Sequence, residues 1–260
     1  MTVEGGARIP VGTLVLALVA LAAGTAAAAA RFGTECAEQY QNGWQNTLPY
    51  SWARCSGFND ELDDTDTKVF YWDLNGAKYY WETNGDQYEP DFVHLFYANT
   101  HGGGWWDKSV WAMWNQGSLA DSQNMRLGDE SFGTHIFATY ACETMRYNDG
   151  RFWVRMGPIF RGGVKYAMGS HDKVWMGWTT DEVGEDFADN LQKGEYLWSA
   201  WANGNSDWYF DQDITAMATG ANSGDCNNRL YYMKWQNFGS YGRLRDGQIG
   251  WWCGYAWDNL

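Results

Sequence analysis

Proline and basic residues are both scarce in this sequence. Only 4 of the 260 residues are Pro and 45% are hydrophobic, a composition that disordered and low-complexity chains do not have. The 18 Lys and Arg residues face 32 Asp and Glu, so the formal net charge is −14. Binding to nucleic acid or to an anionic lipid surface requires clustered positive charge. The composition therefore argues against both kinds of partner.

Metal motifs and long apolar runs are scarce as well. The sequence has no Cys-x-x-Cys and no two His at the spacing of a helical zinc pair, so we expect no metal and no cofactor. Its one long apolar run, residues 11–24, follows Arg8 and leads into Ala26–Ala30, which is the pattern of a secretory signal. We expect residues 1–30 to be removed, and residues 31–260 to form a single secreted domain. An uncleaved anchor is the alternative, because the tract reaches the roughly 20 residues that span a bilayer.

The cysteines are few and odd in number. There are 5: Cys36, Cys55, Cys142, Cys226 and Cys253. In an oxidising compartment an odd count leaves one thiol unpaired. Position along the chain pairs Cys36 with Cys55 and Cys226 with Cys253, so Cys142 is predicted to be free. A free Cys in an apolar run is either a buried, inert core residue or a nucleophile.

Strand-like and helix-like segments alternate through the predicted core, about residues 67–203. Two continuous apolar runs, residues 91–100 and 134–141, are typical of strands buried on both faces of a parallel sheet. Residues 164–168 predict a third strand. Helices are expected at 144–156, 181–193 and 195–202. This alternation predicts an α/β fold with a mainly parallel sheet flanked by helices.

Aromatic-rich β segments are expected at both ends of this core. Residues 68–72 and 77–81 flank Asn75-Gly76, which is a hairpin signal. Residues 221–260 are predicted to return to β structure, with 229–235 as the clearest run. The acidic run before the hairpin, Asp60–Asp66, is interpreted as a solvated loop, and a structural calcium ion there is the alternative.

Two of the predicted strands end in residues that can react. One ends at His101-Gly102 and the other at Ala141-Cys142. Because the carboxyl ends of parallel strands meet at one edge of a sheet, we expect His101 and Cys142 to lie close together. A thiol beside an imidazole can act as a nucleophile, and a lowered thiol pKa would raise its reactivity. The amides of Gly102 and Cys142 are the expected oxyanion donors.

This ordered pair of motifs resembles the dyad signature of the caspase, gingipain, legumain and clostripain-like cysteine peptidases, the clan CD type. The matching segments are residues 92–102 and 135–143, and the likeness covers about residues 90–203. It is closest to uncharacterised secreted microbial proteins with Thr-His-Gly and Ala-Cys-Glu-Thr motifs. The resemblance implies a caspase-hemoglobinase-like sheet and a peptide or protein substrate. Cys142 would attack the carbonyl and His101 would protonate the leaving amine.

Three further residues are predicted near the same edge and are candidates for a substrate pocket. Glu143 follows the nucleophile, and His171 and Asp172 follow the third strand. A partly desolvated carboxylate gains most by pairing with a cation. We therefore expect Arg or Lys before the cleaved bond. The remaining histidines, His94 and His135, are expected to be structural.

Tryptophan is abundant, with 18 residues, and it supports a rival function. Exposed Trp rings can stack on sugars, so a non-catalytic or carbohydrate-binding protein on the same fold is the alternative to a peptidase. The candidates for such platforms are Trp105, Trp106, Trp111, Trp114, Trp251 and Trp252. Packing in the core or at its rim is the simpler role for most of them.

Overall fold

A computed structural model gives the fold of most of the chain. It describes residues 29–38, 40, 47–72, 78–82, 86–113, 119–130, 133–177, 180–206 and 212–258. The expected signal up to residue 28, the Asn75-Gly76 turn and Trp114 lie outside the described residues. Among the helices that are described, none is long and apolar enough to cross a membrane.

The centre of the molecule is a seven-stranded sheet in the order β10-β9-β8-β7-β3-β1-β2. Strands β1, β2, β3, β7 and β8 run parallel, and β9 is antiparallel to its neighbours β8 and β10. Its strands are β1 (Arg31–Cys36), β2 (Thr67–Trp72), β3 (Leu95–Asn99), β7 (Ile136–Tyr140), β8 (Tyr166–Ser170), β9 (Ile214–Gly220) and β10 (Trp251–Trp257). A mixed α/β fold with a mostly parallel sheet is thus confirmed.

A second, antiparallel sheet has the order β4-β5-β6. It consists of β4 (Gly102–Gly104), β5 (Ser109–Ala112) and β6 (Leu119–Asp121). The helices are α1 (Ser51–Asp63), α2 (Lys78–Trp81), α3 (Phe152–Arg161), α4 (Val183–Gln192), α5 (Leu197–Gly204) and α6 (Ser223–Tyr232). Residues of α1, α4, α5 and α6 pack on one face of the large sheet, and residues of α2, α3 and the small sheet pack on the other.

Strands β3 and β7 are apolar without interruption because both of their faces are covered. Leu95 and Tyr97 pack in the layer that contains α1 and α4, while Phe96 and Ala98 pack in the layer that contains α3. Successive side chains of a strand point to opposite faces, so a strand between two helical layers needs apolar residues at every position.

Several predicted elements are wrong in type or extent. The acidic run Asp60–Asp66, interpreted as a loop, is helical as far as Asp63, where α1 ends. Residues 78–81 form helix α2 instead of a strand, and this brings Trp81 into contact with Phe96 and Phe137 in the core. Residues 229–235 are predicted to form a strand, but most of them lie in helix α6. The helix is capped by Asn222, whose side chain accepts a hydrogen bond from the Asp225 amide at 3.0 Å. These outcomes show tertiary packing and capping overriding a β-like composition.

The helix predicted at residues 144–156 begins later, at Phe152. Residues 142–145 form turns that are tied to the end of β8 by Glu143 N–H to Asp172 O and Met145 N–H to Ser170 O, both 2.9 Å. Gly150 has a φ of 69°, a conformation that a helix cannot include. This delay leaves Cys142 in a turn.

Both predicted disulfides are present. Cys36–Cys55, with a Cα–Cα distance of 6.2 Å, joins the end of β1 to α1. Cys226–Cys253, at 5.9 Å, joins α6 to β10. Cys142 is the free cysteine. Two disulfides are compatible with an extracellular protein.

Candidate functional site

His101 and Cys142 emerge at the same edge of the sheet, as the sequence predicts. Strands β3 and β7 are adjacent and parallel, and Asn99 pairs with Tyr140 at their carboxyl ends. Two residues beyond each of these positions lie His101 and Cys142. The strand order also reverses between β1 and β3, and such a switch point is where open α/β sheets bind ligands.

The glycines of β4 bring the two loops into contact. A Cβ placed on Gly102 would lie 2.5 Å from Thr144 Cγ2 and 2.8 Å from Ala141 Cβ. A Cβ on Gly104 would clash with the carbonyl oxygen of Glu143, whereas one on Gly103 would have ordinary contacts, the nearest at 3.7 Å. Glycine at 102 and 104 therefore permits β4 to lie directly against the turn that holds Cys142.

The backbone of Gly102 is oriented away from β5. Ala112 N–H donates to His101 O at 2.8 Å, and the next pair along the ladder is Gly102 with Trp111. Because hydrogen-bonded and non-hydrogen-bonded pairs alternate in antiparallel sheets, the N–H of Gly102 points outward from this ladder. Since β4 is the outer strand of its described sheet, this amide is not used in the pairing of β4 with β5.

Tyr40 holds His101 in place, and sequence analysis missed it. The Tyr40 hydroxyl accepts from the His101 amide at 3.0 Å and lies 2.9 Å from Thr100 Oγ1. The two rings are 5.2 Å apart. Burial raises the pKa of Tyr40 to about 12, so the phenol stays protonated. Its position in the chain could have indicated this contact, because Tyr40 follows β1, the strand beside β3 at the switch point.

A small cavity of about 150 Å³ opens beside His101. Its described lining is His101, Gly102, Gly103, Trp105, Val110, Ala112 and Leu119. Cys142 is not among these residues. Cys142 packs against the core layer that contains α1 and α4. Met176 packs against this layer and also against the small cluster that contains Tyr40 and Ala112.

The Cys142 thiol is half-buried and neutral. Its Sγ lies 3.8 Å from Val174 O, to which it donates. Burial is the main reason why the pKa of Cys142 is raised, and Glu143 adds to the effect. This is opposite to the lowered pKa that the sequence led us to expect.

The candidate pocket residues have different surroundings. Glu143 has a φ of 54°, a conformation uncommon outside glycine, and its carboxylate pairs with Arg146 at 2.6 Å. Asp172 is exposed, and its Oδ1 accepts from the Lys173 amide at 2.7 Å. Of the two carboxylates, Asp172 is the one without an Arg or Lys side chain paired to it in the described residues.

His171 is at the expected edge, but its ring is engaged by β10. Nε2 lies 2.8 Å from Asp258 Oδ1 and 3.2 Å from Trp257 O. His171, Asp213 and Asp258 each place one ligand atom within 4.8 Å of the others, so they have the donors for a metal ion. The side chain of His171 is only 3% exposed, which argues against a role as a pocket wall.

His94 and His135 lie at the opposite edge, before β3 and β7. His94 Nδ1 accepts from the Arg31 amide at 2.9 Å, and the two imidazole rings are 5.3 Å apart. Burial lowers the pKa of His94 to about 4 and that of His135 to about 2. Both rings are neutral at physiological pH, which agrees with a structural role.

The candidate sugar-stacking tryptophans divide into buried and exposed rings. Trp111 is fully buried, and Trp252 packs against the α3 layer. Trp106 is 70% exposed, but Arg151 Cζ lies 3.1 Å from its ring centroid. Trp105 is 51% exposed and lines the cavity beside His101. Trp251, on β10, is also exposed.

The fold and the site together define a disulfide-bonded α/β protein with an imidazole and a free thiol at the switch-point edge of a mostly parallel sheet. A comparison with curated proteins finds no match. A family model matches residues 34–254, and its description is Domain of unknown function (DUF6345). The chain belongs to this family. The matched segment includes every strand of the large sheet except the first residues of β1 and the last of β10.

Proposed function

We propose that this protein is a secreted, thiol-dependent peptide hydrolase with a caspase-like dyad of His101 and Cys142. The observation that supports it most is the neighbouring, parallel arrangement of β3 and β7, with His101 after one strand and Cys142 after the other. Two strand ends that supply an imidazole and a free thiol at one edge are the minimum for nucleophilic catalysis by cysteine.

The chemistry starts from a neutral thiol, since burial raises the pKa of Cys142. As the sulfur attacks the substrate carbonyl, His101 takes the thiol proton, and the oxyanion accepts hydrogen bonds from the amides of Gly102 and Cys142. The C–N bond then breaks, and His101 returns the proton to the leaving amine. Water, deprotonated by His101, hydrolyses the thioester and restores the thiol.

Substrate preference is proposed to depend on Asp172. The ion pair with Arg146 offsets the charge of Glu143, whereas Asp172 is exposed at the same edge. A basic side chain before the cleaved bond would pair with this carboxylate. Comparing cleavage of peptides with Arg and with Glu at that position tests the idea, and Asp172→Asn should reduce the difference. Equal cleavage of both peptides would exclude it.

An irreversible peptidyl ketone probe that alkylates a catalytic thiol tests the dyad directly. We expect the full secreted chain to be labelled at Cys142, as read by mass spectrometry after proteolysis. Cys142→Ala should abolish labelling and His101→Ala should slow it about 10²-fold or more, the usual contribution of a general acid–base. His94→Gln, at the opposite edge of the sheet, is the matched control and should be labelled at the rate of the unmodified chain.

The peptidase proposal fails if His101→Ala is labelled as fast as the unmodified chain while both show the same thermal unfolding. It also fails if a simple alkylating agent and the peptidyl probe label Cys142 equally slowly. In either case Cys142 is a core thiol without an assisting imidazole.

Carbohydrate binding is the second candidate, and Trp105 is the residue that favours it. Its ring is half-exposed beside the cavity at His101, and exposed aromatic faces can stack on sugar rings. Oligosaccharides would then quench tryptophan fluorescence, and Trp105→Ala would remove the effect. Buried Trp111 is excluded from any such platform.

A further inference from the structure

Three carboxylates meet at the edge of the large sheet opposite to His101 and Cys142. Asp86 lies in a short 3-10 helix that precedes β3, and Asp129 and Glu130 lie in the segment that precedes β7. One oxygen from each of the three is within 4.8 Å of the others. Because β3 and β7 are parallel, these preceding segments are brought together at the amino ends of the strands.

A fourth carboxylate, Asp91, shapes the loop that carries two of the three. Asp91 Oδ1 accepts from the amides of Gly128 at 2.5 Å and Thr134 at 3.2 Å. Its Oδ2 accepts from the Asp129 amide at 3.1 Å. With both of its oxygens bound to the backbone, Asp91 positions the loop, and the Glu130 carboxyl group lies within hydrogen-bonding reach of the Asp91 and Asp129 carboxyl groups.

Each of the three carboxylates has one buried oxygen that accepts no hydrogen bond within the described part of the chain. Asp86 is 0% exposed; its Oδ1 accepts from the Gln87 amide at 3.1 Å, but its buried Oδ2 has no partner. Asp129 Oδ1 and Glu130 Oε2 are likewise buried without a partner among the described residues. A buried carboxylate oxygen with no donor is costly unless a proton or a cation occupies the space beside it.

Two guanidinium groups lie near the cluster and offset part of this cost. Arg243 Nη2 donates to the backbone carbonyl of Glu130 at 2.8 Å. Arg245 Nη2 lies 3.5 Å from the same carbonyl. Both of these contacts use the backbone oxygen. The charge of Arg243 also attracts Asp91, Asp129 and Glu130, but Asp86 Oδ2, Asp129 Oδ1 and Glu130 Oε2 accept no hydrogen bond among the described residues.

We propose that Asp86, Asp129 and Glu130 bind a divalent cation, with calcium preferred, that ties the turn before β3 to the loop before β7. All three ligands are carboxylate oxygens, which suit hard cations and not zinc or copper. Two oxygens on opposite sides of a calcium ion are about 4.8 Å apart, twice a bond of about 2.4 Å. Oxygens that lie within 4.8 Å of one another are therefore close enough to bind one calcium ion together.

The site differs from the acidic run Asp60–Asp66 that the sequence singles out. That run ends helix α1, and members of it are already engaged: Asp63 pairs with Lys68 at 2.7 Å, and Asp66 Oδ2 accepts from Trp235 Nε1 at 2.7 Å. Asp64 is exposed. Exposed or paired carboxylates have no need of a cation, whereas each carboxylate of the new site has a buried oxygen without a partner among the described residues.

Calcium titration of the full secreted chain, stripped with EDTA, tests the proposal. We expect isothermal titration calorimetry to show one bound Ca²⁺, and thermal unfolding to shift upward by about 5–10 °C when Ca²⁺ is 100 times its dissociation constant. Glu130→Gln and Asp86→Asn should each weaken binding about 10-fold or more, because the site loses a charged ligand. Asp64→Asn is the matched control and should bind as the unmodified chain does.

Several results would overturn the inference. They are the absence of Ca²⁺ binding in the unmodified chain, loss of binding in Asp64→Asn with retention in Glu130→Gln, and an equal thermal shift with Mg²⁺. If Asp86→Asn fails to fold, Glu130→Gln decides the outcome alone. Cys142→Ala should bind Ca²⁺ unchanged, so this site and the proposed peptidase succeed or fail separately.

Discussion

At the scale of single residues, the candidate site depends on glycines as well as on His101 and Cys142. Gly102 and Gly104 have no room for a Cβ, because the turn that follows β7 occupies that space. Gly103, between them, has room. Gly102 and Gly104 are therefore required because the turn lies so close to them. Gly103 is not required for that reason.

We predict that Gly102→Ala reduces labelling of Cys142 by a peptidyl probe at least about 10-fold and costs about 1–3 kcal/mol of stability, the usual cost of overpacking. The new methyl group must displace Thr144 and Ala141, and with them the turn that carries Cys142. Gly103→Ala is the matched control and should leave both quantities nearly unchanged. Probe kinetics and chemical denaturation measure the two effects. Equal behaviour of the variants would contradict the proposed contact.

At the scale of elements, helices α1 and α4 pack through a glycine. A Cβ on Gly184 would overlap the carbonyl oxygen of Arg54 and come within 3.2 Å of Phe58 Cβ. Arg54 is itself fully buried, with its Cζ 5.0 Å from the centroid of the Tyr140 ring at the end of β7. The contact between these helices therefore fixes the position of α1 over the strand that leads to Cys142.

We predict that Gly184→Ala destabilises the protein by about 1–3 kcal/mol, because the two helices must separate. Alanine also has a higher helix propensity than glycine, by about 1 kcal/mol, and this gain offsets part of the cost of overpacking. Gly239→Ala, where nothing lies within 4 Å of the added carbon, is the control and should change little. Urea unfolding gives both values. A stabilised Gly184→Ala would show that the helices tolerate the methyl group.

At the scale of the whole molecule, the central sheet carries a buried carboxyl group, that of Glu35. Glu35 on β1 is 2% exposed and accepts a hydrogen bond from Trp81 Nε1. Burial raises the pKa of Glu35 to about 8, and the charge of Glu89 contributes. In the unfolded chain this pKa is close to 4.5. The folded state therefore holds an extra proton between these two values.

We predict that stability falls as pH rises from about 4.5 to about 8, by at most about 5 kcal/mol from this group. Stability falls because, as pH rises, Glu35 loses its proton in the unfolded chain at a lower pH than in the folded protein. Glu35→Gln keeps an acceptor for Trp81 and should remove this part of the pH dependence, whereas Glu182→Gln, on an exposed site, should retain it. Unfolding free energies across that pH range decide. An unchanged slope in Glu35→Gln would exclude Glu35 as the source.

Sequence reasoning identified the apolar core strands and the cysteine pairing, but it misplaced elements near the ends. Residues 91–100 and 134–141 are apolar throughout, and a strand with both faces covered is what such runs favour. Residues 229–235 are rich in aromatic residues, which is typical of a strand. Most of them nevertheless lie in helix α6, which Asn222 caps and in which Asp225 pairs with Arg229 at 3.0 Å. The capping signal was in the sequence, and composition outweighed it in our prediction.

The sequence alone determined that His101 and Cys142 follow buried strands, and that Cys142 is the odd cysteine. Both follow from local pattern and counting, which need no knowledge of the neighbours. Only the tertiary structure decided that Tyr40 contacts His101, that burial raises the pKa of Cys142, and that Asp86 meets Glu130 across the sheet edge. Contacts between distant segments depend on strand order and on which face each loop covers. Desolvation depends on everything packed around a group, so neither can be inferred from a residue and its neighbours in the chain.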